Sequence, residues 1–181
     1  MNRILFLILL GCILSASCKK AVTETNQGEL ITTIVIDATN ISTGAFKSFQ
    51  WKDIDGPGGA SPVIDSIKLE TNSSYDIEVR MFDHTKTPAA DVSSEILEEG
   101  EVHRIYYDLL GSSGMDVTTT DLDQNNMPLG LQALLSTSAA TSGRMKITLR
   151  HYSSGGKAAA DMVNSPKSST DAEVEFPITV Q

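Results

Sequence analysis

Residues 173 to 180 read Glu173-Val174-Glu175-Phe176-Pro177-Ile178-Thr179-Val180. Every even position but none of the odd ones is a large apolar side chain, the two-residue period of a strand with one face buried and one wet. The same alternation appears at Tyr75, Ile77, Val79 and Met81 against Asp76, Glu78 and Arg80, and at Met145, Ile147 and Leu149 against Lys146, Thr148 and Arg150. Further strands fit Glu29 to Asp37, Ala45 to Lys52, Ile64 to Leu69, Val102 to Asp108, Met115 to Thr120 and Leu129 to Ser136. Clusters of Gly, Pro, Asn and Ser separate them, as tight loops require. About nine strands with no helix-length 3.6-residue period predict an all-β fold, an antiparallel immunoglobulin-like β-sandwich. Two stretches stand apart: Asp91 to Gly100 fits a short helix or an irregular strand, and Ser153 to Thr170 reads as a long polar loop with a helical turn near Ala158 to Met162. Pro177 falls on the wet face of its strand and suits an edge, where its missing donor is harmless.

The chain ahead of the strands is of another kind. Met1 to Arg3 is short and basic, Ile4 to Leu14 is an apolar run, and Ser15-Ala16-Ser17 places small residues directly before Cys18. A bilayer span needs about 20 residues, so the run is the length of a signal-peptide core and not of a transmembrane helix. The junction at Cys18 resembles a bacterial lipobox. That resemblance implies cleavage before Cys18 and lipidation of its thiol, with about 0.8 kcal/mol of membrane affinity per buried methylene. Lipoboxes usually carry Leu three places before the cysteine; here that place is Ser15, with Leu14 one step further out. Cleavage at the other cysteine, Cys12, would leave a very short apolar core. The expected organisation is therefore a signal peptide over 1–17, a lipidated Cys18 and polar tether over 18–28, and a sandwich domain over 29–181. Acidic residues are absent immediately after Cys18, where surface-export signals of Bacteroidota lipoproteins carry them. The expected location is the outer membrane, facing the periplasm.

Composition narrows the partners. The 181 residues carry 14 Lys and Arg against 23 Asp and Glu, a formal charge of -9. Nucleic-acid affinity depends on clustered basic side chains, so no nucleic-acid partner is expected.

Two loops carry carboxylates at alternate positions, the spacing a hard cation such as Ca²⁺ needs when a chain turns sharply. The first runs Trp51-Lys52-Asp53-Ile54-Asp55-Gly56-Pro57, with Asp53 and Asp55 as candidate ligands and Trp51 and Gly56 as ligand-loop residues. The second, Asp121-Leu122-Asp123-Gln124-Asn125-Asn126, supplies Asp121, Asp123 and Asn125, with Asn126 at the turn. It matches the start of an EF-hand loop but carries Gln132 where the bidentate Glu belongs. The competing reading is that these side chains cap tight turns through nearby amides, without metal. If both loops lie at one end of the sandwich, their carboxylates are placed to share one ion. By strand parity His151 shares the face of Met145, Ile147 and Leu149, and His103 that of Glu101, Ile105 and Tyr107. Two histidines and a carboxylate suit zinc or copper, although no close-spaced ligand pair marks them.

Enzyme signatures fail residue by residue. Gly155-Gly156-Lys157-Ala158 lacks the first glycine and the hydroxyl of a phosphate loop. Ser154-Gly155-Gly156-Lys157 has the S-x-x-K spacing without its partner motifs. No catalytic residue is assigned and no enzymatic activity is expected.

Taken together, the Cys18 tether, W-K-D-x-D-G-x-G-G, S-Y-D-I-E-V, H-R-I-Y-Y, D-x-D-x-N-N-x-P-L-G-L and the closing E-V-E-F-P-I resemble a group of small Bacteroidota lipoproteins of unknown function. Some of that group carry the label "type 1 periplasmic binding domain", which implies a longer α/β fold at odds with these strands. The resemblance implies an envelope location and β architecture, and transfers no catalytic residue. In the same bacteria Asp65-Ser66-Ile67 fits an O-glycosylation acceptor pattern at Ser66. The expected function is a membrane-anchored binding or accessory module, its protein or small-molecule partner contacting the loops at one sandwich end. The alternative is a protein binding calcium or a transition metal.

Overall fold

The structure is a computed structural model that describes residues 29–56, 58–153 and 156–181. The expected signal peptide, the expected lipidation site Cys18 and the expected tether, like Pro57, Ser154 and Gly155, lie outside the described residues.

The expected all-β sandwich is what the chain forms. Its elements are β1 (Thr33–Asn40), β2 (Phe46–Lys52), β3 (Val63–Ile64), β4 (Ile67–Leu69), β5 (Ser74–Asp83), β6 (Ala90–Asp91), α1 (Val92–Glu98), β7 (His103–Leu110), β8 (Met115–Thr119), β9 (Gln132–Thr137), β10 (Thr141–His151) and β11 (Ser169–Val180). One sheet has the order β3-β2-β1-β5-β9-β8, with β6 alongside β5, and the other the order β4-β11-β10-β7.

Alternation sets which side of each sheet is dry. Ile34, Ile36 and Ala38 of β1, and Tyr75, Ile77, Val79 and Met81 of β5, face Met145, Ile147 and Leu149 of β10 and Val174, Phe176, Ile178 and Val180 of β11 in one buried cluster. Each of the larger side chains contributes about 1.5–3 kcal/mol by leaving water. Trp51 stands opposite Ile34 in the β1–β2 ladder and packs on this core. It is partly buried there, within β2 and ahead of the loop that follows.

Three details depart from the expected pattern. The single strand expected over Ile64 to Leu69 is two, because Asp65 and Ser66 carry the chain from one sheet to the other. Having crossed, β4 runs parallel to β11, so the sandwich is not wholly antiparallel. Pro177 lies on a strand flanked by both β10 and β4, but β4 covers β11 only from Ile178 onward, which leaves Pro177 on an open flank. Asp91 caps α1, its side chain accepting from the Ser93 amide, so the ambiguous 91–100 stretch is the short helix.

The β10–β11 ladder slips by one residue. Leu149 pairs with Ala172 but Arg150 pairs with Thr170, so Asp171 is the extra residue of a β-bulge. Regular alternation would turn Asp171 outward with Glu173 and Glu175. The bulge turns it inward instead, and its side chain is 3% exposed.

Candidate metal centre

Three consecutive strands of the smaller sheet meet at one end of the sandwich. The first residue of β7, His103, stands directly opposite the last residue of β10, His151. Their rings stack 4.8 Å apart at 26°. Asp171 comes from the bulge of β11 on the other side of β10. Glu29 approaches from the segment that leads into β1.

His103 is 1% exposed, and its ring is oriented by the end of α1. The carbonyl of Glu99, which also accepts from the Val102 amide, lies 3.2 Å from Nδ1. A carbonyl only accepts, so Nδ1 carries the proton. Burial, and then the neighbouring His151, pushes His103 down to about 4. The ring is therefore neutral near pH 7, and its Nε2 offers a lone pair. That lone pair faces Glu29 Oε1 at 3.5 Å and Asp171 Oδ2 at 3.9 Å.

Both carboxylates pay for their position in desolvation. Burial first, then Asp171, Glu95 and Glu99, pushes Glu29 up to about 7. Burial also raises Asp171, against the pull of His151 and Arg150. Buried acceptors normally find donors, yet Glu29 Oε2 and Asp171 Oδ2 have no hydrogen-bond partner. A neutral imidazole with one nitrogen fixed by a carbonyl and the other aimed at two under-satisfied carboxylates is how a metal-ligating histidine is held.

The distances suit a small ion. One ligand atom each from His103, His151 and Asp171 lies within 4.8 Å of the others, and a second such group, Glu29, Glu99 and His103, meets the first at His103. At zinc bond lengths of about 2.0–2.1 Å, an ion between His103 Nε2 and Glu29 Oε1 would subtend about 115°, near tetrahedral. Between His103 and Asp171 the groups would close by roughly 0.5 Å to reach that angle. With no thiolate, this nitrogen and carboxylate set suits zinc or copper(II) more than copper(I).

The loops read from sequence as calcium ligands are built differently. They do lie at one end of the sandwich, the same end as the histidines, but β1 and β5 stand between β2 and β9. At about 4.8 Å per strand, the strands that carry the two loops stand roughly 14 Å apart. Their carboxylates serve the backbone. Asp53 Oδ1 accepts from Gly56 N, and Asp55 Oδ2 from Ala60 N. Asp121 accepts from Gly130 N and Leu131 N through its two oxygens, and Asp123 Oδ1 accepts from Asn125 N and Met127 N. Asn125 thus enters through its amide, while Gly56 and Asn126 supply positive φ angles of 73° and 59° to the turns.

Asp123 has a further partner. Lys157 Nζ lies 3.1 Å from Asp123 Oδ2, both side chains 1% exposed, and donates at 2.6 Å to the carbonyl of His103. An ammonium stands where the second loop was expected to hold a cation, and it bolts the 121–130 loop and the 156–161 turn to the start of β7. Asp161 reinforces that turn by accepting from Ala158 N.

Sequence parity placed His151 correctly but could not place Asp171, since a bulge leaves no mark in the alternation of a single strand. Glu29 was read as the start of a strand, whereas β1 begins at Thr33 and leaves Glu29 free to turn toward His103. Ser66 is exposed at the crossing between the sheets. Among the described residues no helix is long and apolar enough to cross a membrane. Comparison with protein-family models, with curated proteins and with solved structures finds no match to this chain.

Proposed function

We propose that this protein is an envelope lipoprotein, anchored through Cys18 at the outer membrane and facing the periplasm, whose sandwich domain is a binding module for a divalent transition-metal ion. His103, His151, Asp171 and Glu29 are the ligands. One observation carries the reading: a buried, neutral His103 has its Nδ1–H engaged by Glu99 and its Nε2 directed at two half-buried carboxylates, each with one oxygen that has no hydrogen-bond partner. Asp121, by contrast, has both of its oxygens accepting from backbone amides, those of Gly130 and Leu131.

Thermal melts with zinc, copper(II), calcium and chelator test this. A ligand at 100 times its Kd stabilises by about 2.7 kcal/mol, or about 5–11 °C for a domain of this size. Zinc or copper(II) is expected to give that rise in the wild type and none in His103→Leu, while calcium gives none in either. A wild-type melt unmoved by zinc and copper(II) would overturn the proposal.

A further inference from the structure

We infer that the ion acts as a clasp between the two sheets, fastening the entry segment Glu29–Thr32 to the smaller sheet. This rests on the metal reading above and adds what the ion does there. Three of the ligands, His103, His151 and Asp171, belong to β7, β10 and β11, consecutive strands of one sheet. Glu29 alone comes from the other side, four residues ahead of β1, a central strand of the opposite sheet.

The entry segment is held unevenly without an ion. Thr32 is secured by its amide and hydroxyl to the Phe82 carbonyl and by its own carbonyl to the Asp53 amide. Ile31 packs partly on the core, but Leu30 is 56% exposed. Glu29 is the residue whose side chain reaches the smaller sheet, and it does so by facing His103 Nε2 at 3.5 Å, beyond good hydrogen-bond range. A metal ion accepting Glu29 on one side and the histidines on the other converts that loose approach into two coordinate bonds in series.

Immunoglobulin-type sandwiches commonly join their sheets with a disulfide. Residues 29–181 contain no cysteine, and a clasp of this kind supplies the missing cross-link in a form that responds to metal supply. Ion-induced ordering of a segment is expected where ligands come from separate parts of the chain, because binding free energy then becomes folding free energy.

Hydrogen exchange of the full chain, read with zinc and with chelator, tests the clasp alongside zinc titration by calorimetry. Zinc is expected to slow exchange at the amides of Leu30 and Ile31 by about tenfold or more. Glu29→Ala is expected to bind zinc at least about tenfold more weakly and to lose the protection at Leu30 and Ile31 while keeping it at Asp171 and Ala172. Zinc binding that leaves Leu30 and Ile31 exchanging as before, or Glu29→Ala binding as tightly as wild type, overturns the clasp and leaves the metal reading standing. No zinc binding by the wild type overturns both.

Discussion

Glu29→Gln should stabilise the metal-free protein at alkaline pH and leave it unchanged in acid. The side chain is 18% exposed, and its carboxyl is pushed from an ordinary 4.5 up to about 7 by burial and by Asp171, Glu95 and Glu99. The native state therefore holds its proton more tightly than the unfolded chain does. Stability is fully retained below pH 4.5, falls as pH rises toward 7, and the whole penalty is present above it. At about 1.36 kcal/mol per pH unit, the penalty is about 3 kcal/mol. Glutamine keeps the shape and removes the charge. Urea denaturation in chelator should give equal midpoints for the two proteins at pH 4.5 and a Glu29→Gln advantage of about 2–3 kcal/mol at pH 8. Zinc should reverse the order at pH 8, because the wild type alone keeps its fourth ligand. A Glu29→Gln protein less stable than wild type at pH 8 in chelator, or an advantage that does not vary with pH, would refute the account of Glu29 as an uncompensated buried acid.

Lys157→Met should lower stability by about 3–5 kcal/mol, since it strands a buried Asp123; adding Asp123→Asn should restore part of that loss in the same urea melts. Gly130→Ala should destabilise by more than about 1 kcal/mol, because φ is +98° and a Cβ would stand 2.5 Å from the Ile105 carbonyl oxygen; an unchanged midpoint would contradict that packing. Cys18→Ser should move the protein from the membrane to the soluble fraction, with mass spectrometry of the native N-terminal peptide showing lipid on Cys18 in the wild type only. The mass of the peptide containing Ser66 should exceed its sequence value by a glycan when the protein is expressed in a Bacteroidota host, and match it in Ser66→Ala.

Alternation made the sandwich legible. Where side chains such as Val174, Phe176 and Ile178 must pack inward, the period of two is imposed by the core and survives in the sequence. The proposed ligand set was legible only in part, for reasons that differ by residue. His151 lies on the apolar parity of β10, so its inward direction was readable. His103 was placed on the face of Ile105, but its neighbour across the ladder depends on register, which a single strand does not state. Asp171 carries the wrong parity for an inward residue, and only the slip in pairing reverses it. The D-x-D spacing was a real signal of local geometry: it marked turns whose amides need acceptors, and the carboxylates were consumed in supplying them.

The bulge at Asp171 also gives this centre an unusual evolutionary economy. Everything from Ala172 to Val180 pairs in unbroken register, and residues 156–168 ahead of it are loop and turn. Loss of one codon between Ser169 and Asp171 would restore simple pairing, drawing the change into that loop while the packed half of β11 stayed in place. Presence or absence of an inward carboxylate beside the two histidines is thus separable from the integrity of the core, and a lineage could gain or lose the proposed third ligand by a single-residue insertion or deletion.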